Sequence, residues 1–174
     1  DVGMMLPAEA AKLARQNCPA LSEGDAHTLA EAVGYLPLAV EIAAQRLADS
    51  GETVAAMVQR LADPGKAARA MRGDTAQENV LIRVLEWSLE GLTQQQVQRW
   101  QALSLPPGDF GLWAVQALWA EEDPVDDLAG LVRRNLVTRL EGEERWRLHD
   151  LLRRFGLAAL AAEAAEEAPR ALIT

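Results

Sequence analysis

A single cysteine, Cys18, stands among 174 residues, so no disulfide can form within the chain and a cross-linked framework is excluded. A reducing compartment is the natural expectation, with the cytoplasm as the default. No uninterrupted apolar run approaches the ~20 residues that a membrane-crossing helix needs, and the first residues lack the basic start and apolar core of a secretory signal. No membrane partner is expected. Basic residues are in the minority: 17 Lys and Arg against 26 Asp and Glu leave a net charge of −9. A field of that sign opposes binding to nucleic acid or to an anionic membrane. The chain also lacks a Gly-x-x-x-x-Gly-Lys-Ser/Thr loop to cradle phosphate, and no apolar strand ends in an acidic pair that would hold magnesium. It has no Cys/His set for zinc and no carboxylate beside a His or Lys in a recognisable catalytic arrangement. The expectation is a chain that binds no metal, does not hydrolyse ATP alone and is not an independent enzyme. It opens on Asp1 rather than Met, which reads as a piece of something longer.

What is present is a helix former's composition. Hydrophobic residues make up 49% of the chain, enough to bury a core in one ordinary domain or two small ones. Alanine, leucine, glutamate and arginine dominate and apolar residues recur at three and four, so the chain reads as mostly helical. A first helix is predicted from Pro7 to Gln16, with Pro7 suited to a first turn and Ala10, Leu13 and Ala14 on one face. Pro19 ends it. Ser22 and Asp25 have the spacing of a capping box, and Ala26, Leu29, Ala30 and Val33 make the stripe of a second helix that stops at Gly34. Pro37 cannot sit inside a helix but fits its first turn, so a third helix starts near Leu36 and carries Val40, Ala43, Ala44 and Leu47 inward until Asp49-Ser50-Gly51 closes it. Thr53 to Leu61 gives a short fourth helix, broken by Asp63-Pro64-Gly65. From Gly65 to Gln77 the apolar spacing weakens, which reads as a linker with a boundary near Ala76.

The second module begins with the stripe Val80, Leu81, Val84, Leu85 and Ser88, continued after Thr93 by Val97, Trp100 and Leu103. Pro106-Pro107-Gly108 forces a turn. Leu112, Val115, Leu118 and Trp119 define the next helix, and Pro124 restarts the chain into Val125, Leu128, Leu131, Val132 and Leu136, a helix-turn-helix outline. Val137-Arg139 and Trp146-Leu148 then flank the polar loop Glu141-Gly142-Glu143-Glu144 and read as a β-hairpin, the one stretch of strand expected. A last helix runs from His149 or Asp150 to Ala165. The fold class read from this pattern is mainly α: a four-helix bundle over residues 1–75, followed by a winged helix over residues 76–174, that is, a helix-turn-helix plus a β-hairpin. The five tryptophans fall mostly at core spacing, and Cys18 has no nearby His or Asp and reads as inert.

Charge is unevenly placed. Between Arg133 and Arg154 seven arginines (133, 134, 139, 145, 147, 153 and 154) face four acids (Glu141, Glu143, Glu144 and Asp150), a local excess of 7 − 4 = 3 positive charges. An anion near this segment is physically reasonable. Taken alone, Pro37 is a helix starter, His149 a histidine at a helix N-terminus, and the arginines a solvated face.

Two short motifs change that weighting. Gly34-Tyr35-Leu36-Pro37-Leu38-Ala39 between two helices, and Leu148-His149-Asp150 opening a third, resemble the paired motifs of the NB-ARC proteins, which belong to the STAND class of nucleotide-switch ATPases. Those proteins follow their nucleotide-binding domain with a helical bundle bearing Gly-Leu-Pro-Leu and a winged helix ending in Met-His-Asp. The family's glycine aligns with Gly34 if one extra residue is allowed, or with Tyr35 directly, which is the preferred register. Leu148 for Met conserves volume. The segment Leu131-Val132-Arg133-Arg134-Asn135-Leu136-Val137 is also similar to the family's run before the wing, and the resemblance covers residues ~6 to ~160.

The resemblance implies roles by position. Pro37, with Leu36, would pack against the adenine ring, and His149 would contact the β-phosphate of ADP and keep the switch closed. Asp150 would cap or orient the last helix. ADP or ATP, with Mg, would be held by a nucleotide-binding domain elsewhere in the same protein, and this chain alone would hold neither tightly. Its partners would be that domain and, on activation, further copies. The function so implied is that of a regulatory lid that couples nucleotide state to domain opening, oligomerisation or effector output. The alternative is a winged-helix DNA-binding regulator in which Arg133, Arg134 and Asn135 enter the major groove. Net acidity and three glutamates at the wing tip oppose it.

Overall fold

The structure, a computed structural model, describes residues 3–62 and 75–171 and is mainly helical with one small sheet. The Asp63-Pro64-Gly65 break and most of the expected linker lie outside the described residues. The chain divides into two compact units, residues 1–92 with 133–135, and residues 93–132 with 136–174.

In the first unit, α1 (Pro7–Asn17), α2 (Glu23–Ala32), α3 (Pro37–Ser50), α4 (Val54–Ala62) and α5 (Ala76–Leu89) arise from local signals read above. Pro7 and Pro37 stand in first turns, where a missing N–H costs nothing. Ser22 Oγ accepts from the Asp25 N–H at 3.1 Å and caps α2. Gly51 takes a left-handed conformation, φ 66°, and stops α3. Ala10, Ala14, Ala26, Leu29, Ala30, Val33, Val40, Ala43, Ala44 and Met57 are fully buried, and so many alanines allow α1, α2 and α3 to pack closely.

The division between units falls after Leu92, not near Ala76, and the reason is α5. Thr75 caps it, and its buried Leu81, Ile82, Val84 and Leu85 pack it against α3 and α4. Arg83 Nη1 donates to the Leu61 carbonyl at 3.0 Å, and Arg60 pairs with Glu90 at 2.5 Å. A polar run along the chain therefore does not mark the point where packing changes partner.

The second unit holds α6 (Gln94–Ala102), β1 (Phe110–Gly111), α7 (Leu112–Trp119), most of α8 (Val125–Arg133), β2 (Thr138–Arg139), β3 (Arg145–Arg147) and α9 (Asp150–Ala171). Thr93 and Gln96 form a reciprocal capping box on α6. The antiparallel sheet has the order β1-β3-β2, with Phe110 opposite Trp146 and Thr138 opposite Arg147. The hairpin β2–β3 matches expectation. Strand β1 was not expected, because two residues are too short to display a period of two. Trp100 is fully buried, its ring centroid 6.2 Å from that of Phe155 and its Nε1 donating to the Leu136 carbonyl at 3.2 Å. Trp87, Trp119 and Trp146 are also buried; Trp113, at 74% exposure, departs from the core role expected of the tryptophans. Among the described residues no helix is long and apolar enough to cross a membrane.

Candidate functional site

The loop between α2 and α3 is set by backbone bonds. The Tyr35 N–H donates to the Ala30 carbonyl and the Gly34 N–H to the Glu31 carbonyl, the two bonds of a Schellman stop. Gly34 and Tyr35 both adopt positive φ, 68° and 56°. A bulky residue there is a conformational outlier, and it occupies the position that the preferred register assigns to glycine. The Tyr35 carbonyl in turn accepts from the Met5 N–H at 2.9 Å, which fixes the loop from its other side. Leu36 is extended, as the residue before proline must be, and 1% exposed. Buried Leu36 acts as an anchor, and it leaves Pro37 half-buried at the first position of α3. A rigid, flat ring is thus held at a helix start with part of its face toward solvent.

In the second unit, Leu148, Leu151, Leu152 and Phe155 are buried and anchor the start of α9, while His149 and Asp150 are exposed. His149 Nδ1 accepts from the Leu151 N–H at 3.3 Å, and its carbonyl accepts from the Arg153 N–H at 2.9 Å. With Nδ1 accepting, the neutral ring carries its proton on Nε2, a donor suited to an anionic oxygen. The capping bond expected of Asp150 is made by His149 instead. The reason is register: Asp150 is already the first residue of α9, one position too late to serve as the cap, and its charge acts on the helix dipole. Nearby, Arg147 donates to Asp109 Oδ1 at 2.5 Å and Arg145 to the Asp109 carbonyl at 2.9 Å. The hydrogen bond from Arg147 holds the Asp109 carboxyl below its ordinary 3.8. Sequence reasoning missed Asp109, which lies 38 residues from its partner with no periodic signal between them.

Residues 133–135 belong to the first unit. Arg133 is exposed, Arg134 pairs with Asp49 at 3.5 Å, and Asn135 Nδ2 donates to Asn17 Oδ1 at 3.2 Å. Asn135 takes φ 58° and the Leu136 N–H reaches back to the Leu131 carbonyl, so these residues terminate α8. Two of the three proposed base readers already have protein partners. Leu36 and Pro37 share one loop and His149 and Asp150 another, and the two pairs lie in different units. Among the described residues no group of three or more His, Cys, Asp or Glu could hold a metal ion.

No family model matches the chain, and no curated protein matches it. Among solved structures, its fold is similar to that of a segment of a signal-transduction ATPase with numerous domains. One structure it resembles is the STAND protein with a tetratricopeptide repeat sensor, PH0952, from Pyrococcus horikoshii, with a TM-score of 0.61 and 17% sequence identity. The likeness covers 90% of this chain and 19% of that one, so the chain spans about a fifth of the length of the protein it resembles. At that identity the likeness is one of fold.

Proposed function

We propose that this chain is the regulatory lid of a STAND-class, NB-ARC-like nucleotide switch. The observation that carries the reading is the fold likeness over 90% of the chain to a segment of a STAND ATPase, in a sequence that bears both motifs in the family's order. In this reading α1 to α4 are the helical bundle, and the run α6-β1-α7-α8-β2-β3-α9, with its sheet order β1-β3-β2, is the winged helix. The fixed loop before α3 supports Pro37 as the adenine contact. The Nε2–H of His149 supports that ring as donor to the β-phosphate of ADP. A nucleotide-binding domain of the same protein holds the nucleotide and Mg; exchange of ADP for ATP removes the tie to His149 and releases the winged helix for oligomerisation or an effector.

The DNA-binding alternative has less support. Helices of a helix-turn-helix read bases with their N-terminal residues, and α8 opens with Asp126 and Asp127 while Arg133 to Asn135 stand at its other end. The test is ADP release from the complete protein, followed with a fluorescent analogue. His149→Ala is expected to speed release about tenfold, the loss of roughly 1.4 kcal/mol of closed-state contact. Unchanged release would overturn the role of His149, and duplex binding that weakens steeply with salt would favour the alternative.

A further inference from the structure

The first unit carries a second feature that the switch reading does not use. Helices α1 and α2 pack together and leave a surface groove of about 370 Å³ between them. Ala8 and Ala11 line it from α1, where with nothing beyond Cβ they leave it open to solvent. Lys12 and Arg15, three residues apart, stand on the same face of α1 and line the groove together. Glu23 and His27, one turn apart on α2, line it from the other helix. All four polar side chains are exposed, and neither Lys12 nor Arg15 makes an ion pair with any described residue. In a chain of net charge −9, these two cations, one turn apart and beside one of its two histidines, form a small basic cluster. Arg46, Arg60, Arg99, Arg134 and Arg147 each face a carboxylate, while the exposed Arg133 and Arg139, like Lys12 and Arg15, make no ion pair with a described residue.

We propose that this groove binds a small hydroxylated phosphate monoester of the sugar-phosphate class. The volume lies near the lower end of the roughly 300–1,000 Å³ typical of small-molecule sites, far more than inorganic phosphate fills. Lys12 and Arg15 together match the two charges of a phosphate monoester, with Arg15 able to donate two parallel hydrogen bonds. Glu23 accepts from ligand hydroxyls, and the His27 ring donates or accepts. The same carboxylate repels a second acidic group, so a monophosphate suits the groove better than a diphosphate. The site is independent of the nucleotide contacts assigned to Pro37 and His149.

Isothermal titration of the 174-residue chain with ribose 5-phosphate, ribose and inorganic phosphate tests the assignment. Saturable binding of ribose 5-phosphate is expected, with no binding of ribose and weaker binding of inorganic phosphate. Lys12→Gln combined with Arg15→Gln should lower the affinity for the ester at least about tenfold. Both side chains are exposed, so thermal melting should show the variant folded as the parent chain is. Glu23→Gln should narrow the preference for the ester over inorganic phosphate. Absence of saturable binding, equal affinity in the double variant, or equal affinity for ester and inorganic phosphate would each overturn the proposal.

Discussion

Gly156 of α9 faces Ser104 so closely that a Cβ on the glycine would stand 2.9 Å from the Ser104 Cβ and well inside contact with its hydroxyl. Both residues are buried, and the Ser104 hydroxyl has no hydrogen-bond partner among the described groups. The contact lets α6 and α9 approach at a point where any larger residue must push them apart. Gly156→Ala should therefore destabilise the chain by about 1–3 kcal/mol, despite alanine's better helix propensity. Urea unfolding measures it, and Ser104→Gly in the same chain should restore much of the loss. A glycine-to-alanine change that raised stability would show that the helices part without cost.

The Gly34-Tyr35 stop gives a second prediction of opposite origin. A Cβ on Gly34 would meet nothing within 4 Å, so the cost of Gly34→Ala is backbone strain at φ +68° alone, about 1 kcal/mol. Tyr35→Phe keeps the ring and the strain and should leave stability unchanged, whereas Tyr35→Val, β-branched at positive φ, should cost more than either. Denaturation midpoints for the three variants order them, and a Val variant as stable as Phe would contradict the backbone assignment.

The helices and their buried stripes were legible in the sequence because caps and the 3.6-residue period are local. Ser22, Thr93, Gly51, Pro7 and Pro37 all act within a turn of where they stand. What was not legible depends on partners distant in sequence. The α5 stripe gives no sign that it packs on α3 and α4, so the division after Leu92 is not visible along the chain. Strand β1 is recognised only through its pairing with β3, and Asp109 only through Arg147. The motif residues Leu36, Pro37 and His149 stand out by resemblance, whereas the left-handed Tyr35 and the hydrogen bond accepted by His149 Nδ1 are visible only in the backbone geometry.

Arg99 joins three helices of the second unit. Its guanidinium pairs with Asp127 and, at 3.2 Å, with Glu121, and it lies 5.4 Å from the centre of the Trp119 ring. Trp119 Nε1 also donates to the Arg99 carbonyl at 2.7 Å. The Arg99 side chain is only 16% exposed, while its two carboxylates are about 40% exposed and well screened. Arg99→Ala should thus cost about 1–3 kcal/mol, through lost packing on Trp119 as well as lost charge. A double-mutant cycle with Asp127→Ala should return a coupling of roughly 0.5–1 kcal/mol. Zero coupling would mean that Arg99 acts through Trp119 alone.

Two glutamates of the first unit should each contribute less to its stability at neutral pH than in mild acid. Burial raises the Glu41 carboxyl above 4.5; burial first, then the charge of Glu90, raises that of Glu86. A carboxyl whose pKa is higher folded than unfolded binds more protons in the native state. Its contribution is then most favourable below the unfolded value and is lost as pH rises through the folded one. Asp109 works the other way. Its carboxyl is lowered by Arg147, so its contribution is present above the unfolded value and fades as pH falls through the folded one. Glu41→Gln and Glu86→Gln should each raise the melting temperature at pH 7 and change it less at pH 4, below the ordinary carboxyl value. Asp109→Asn should lower it at pH 7 and lose that effect in acid. Melting curves of the three variants from pH 3 to pH 8 give the signs directly, and equal shifts at both ends of the range would show that the charges do not set the stability profile.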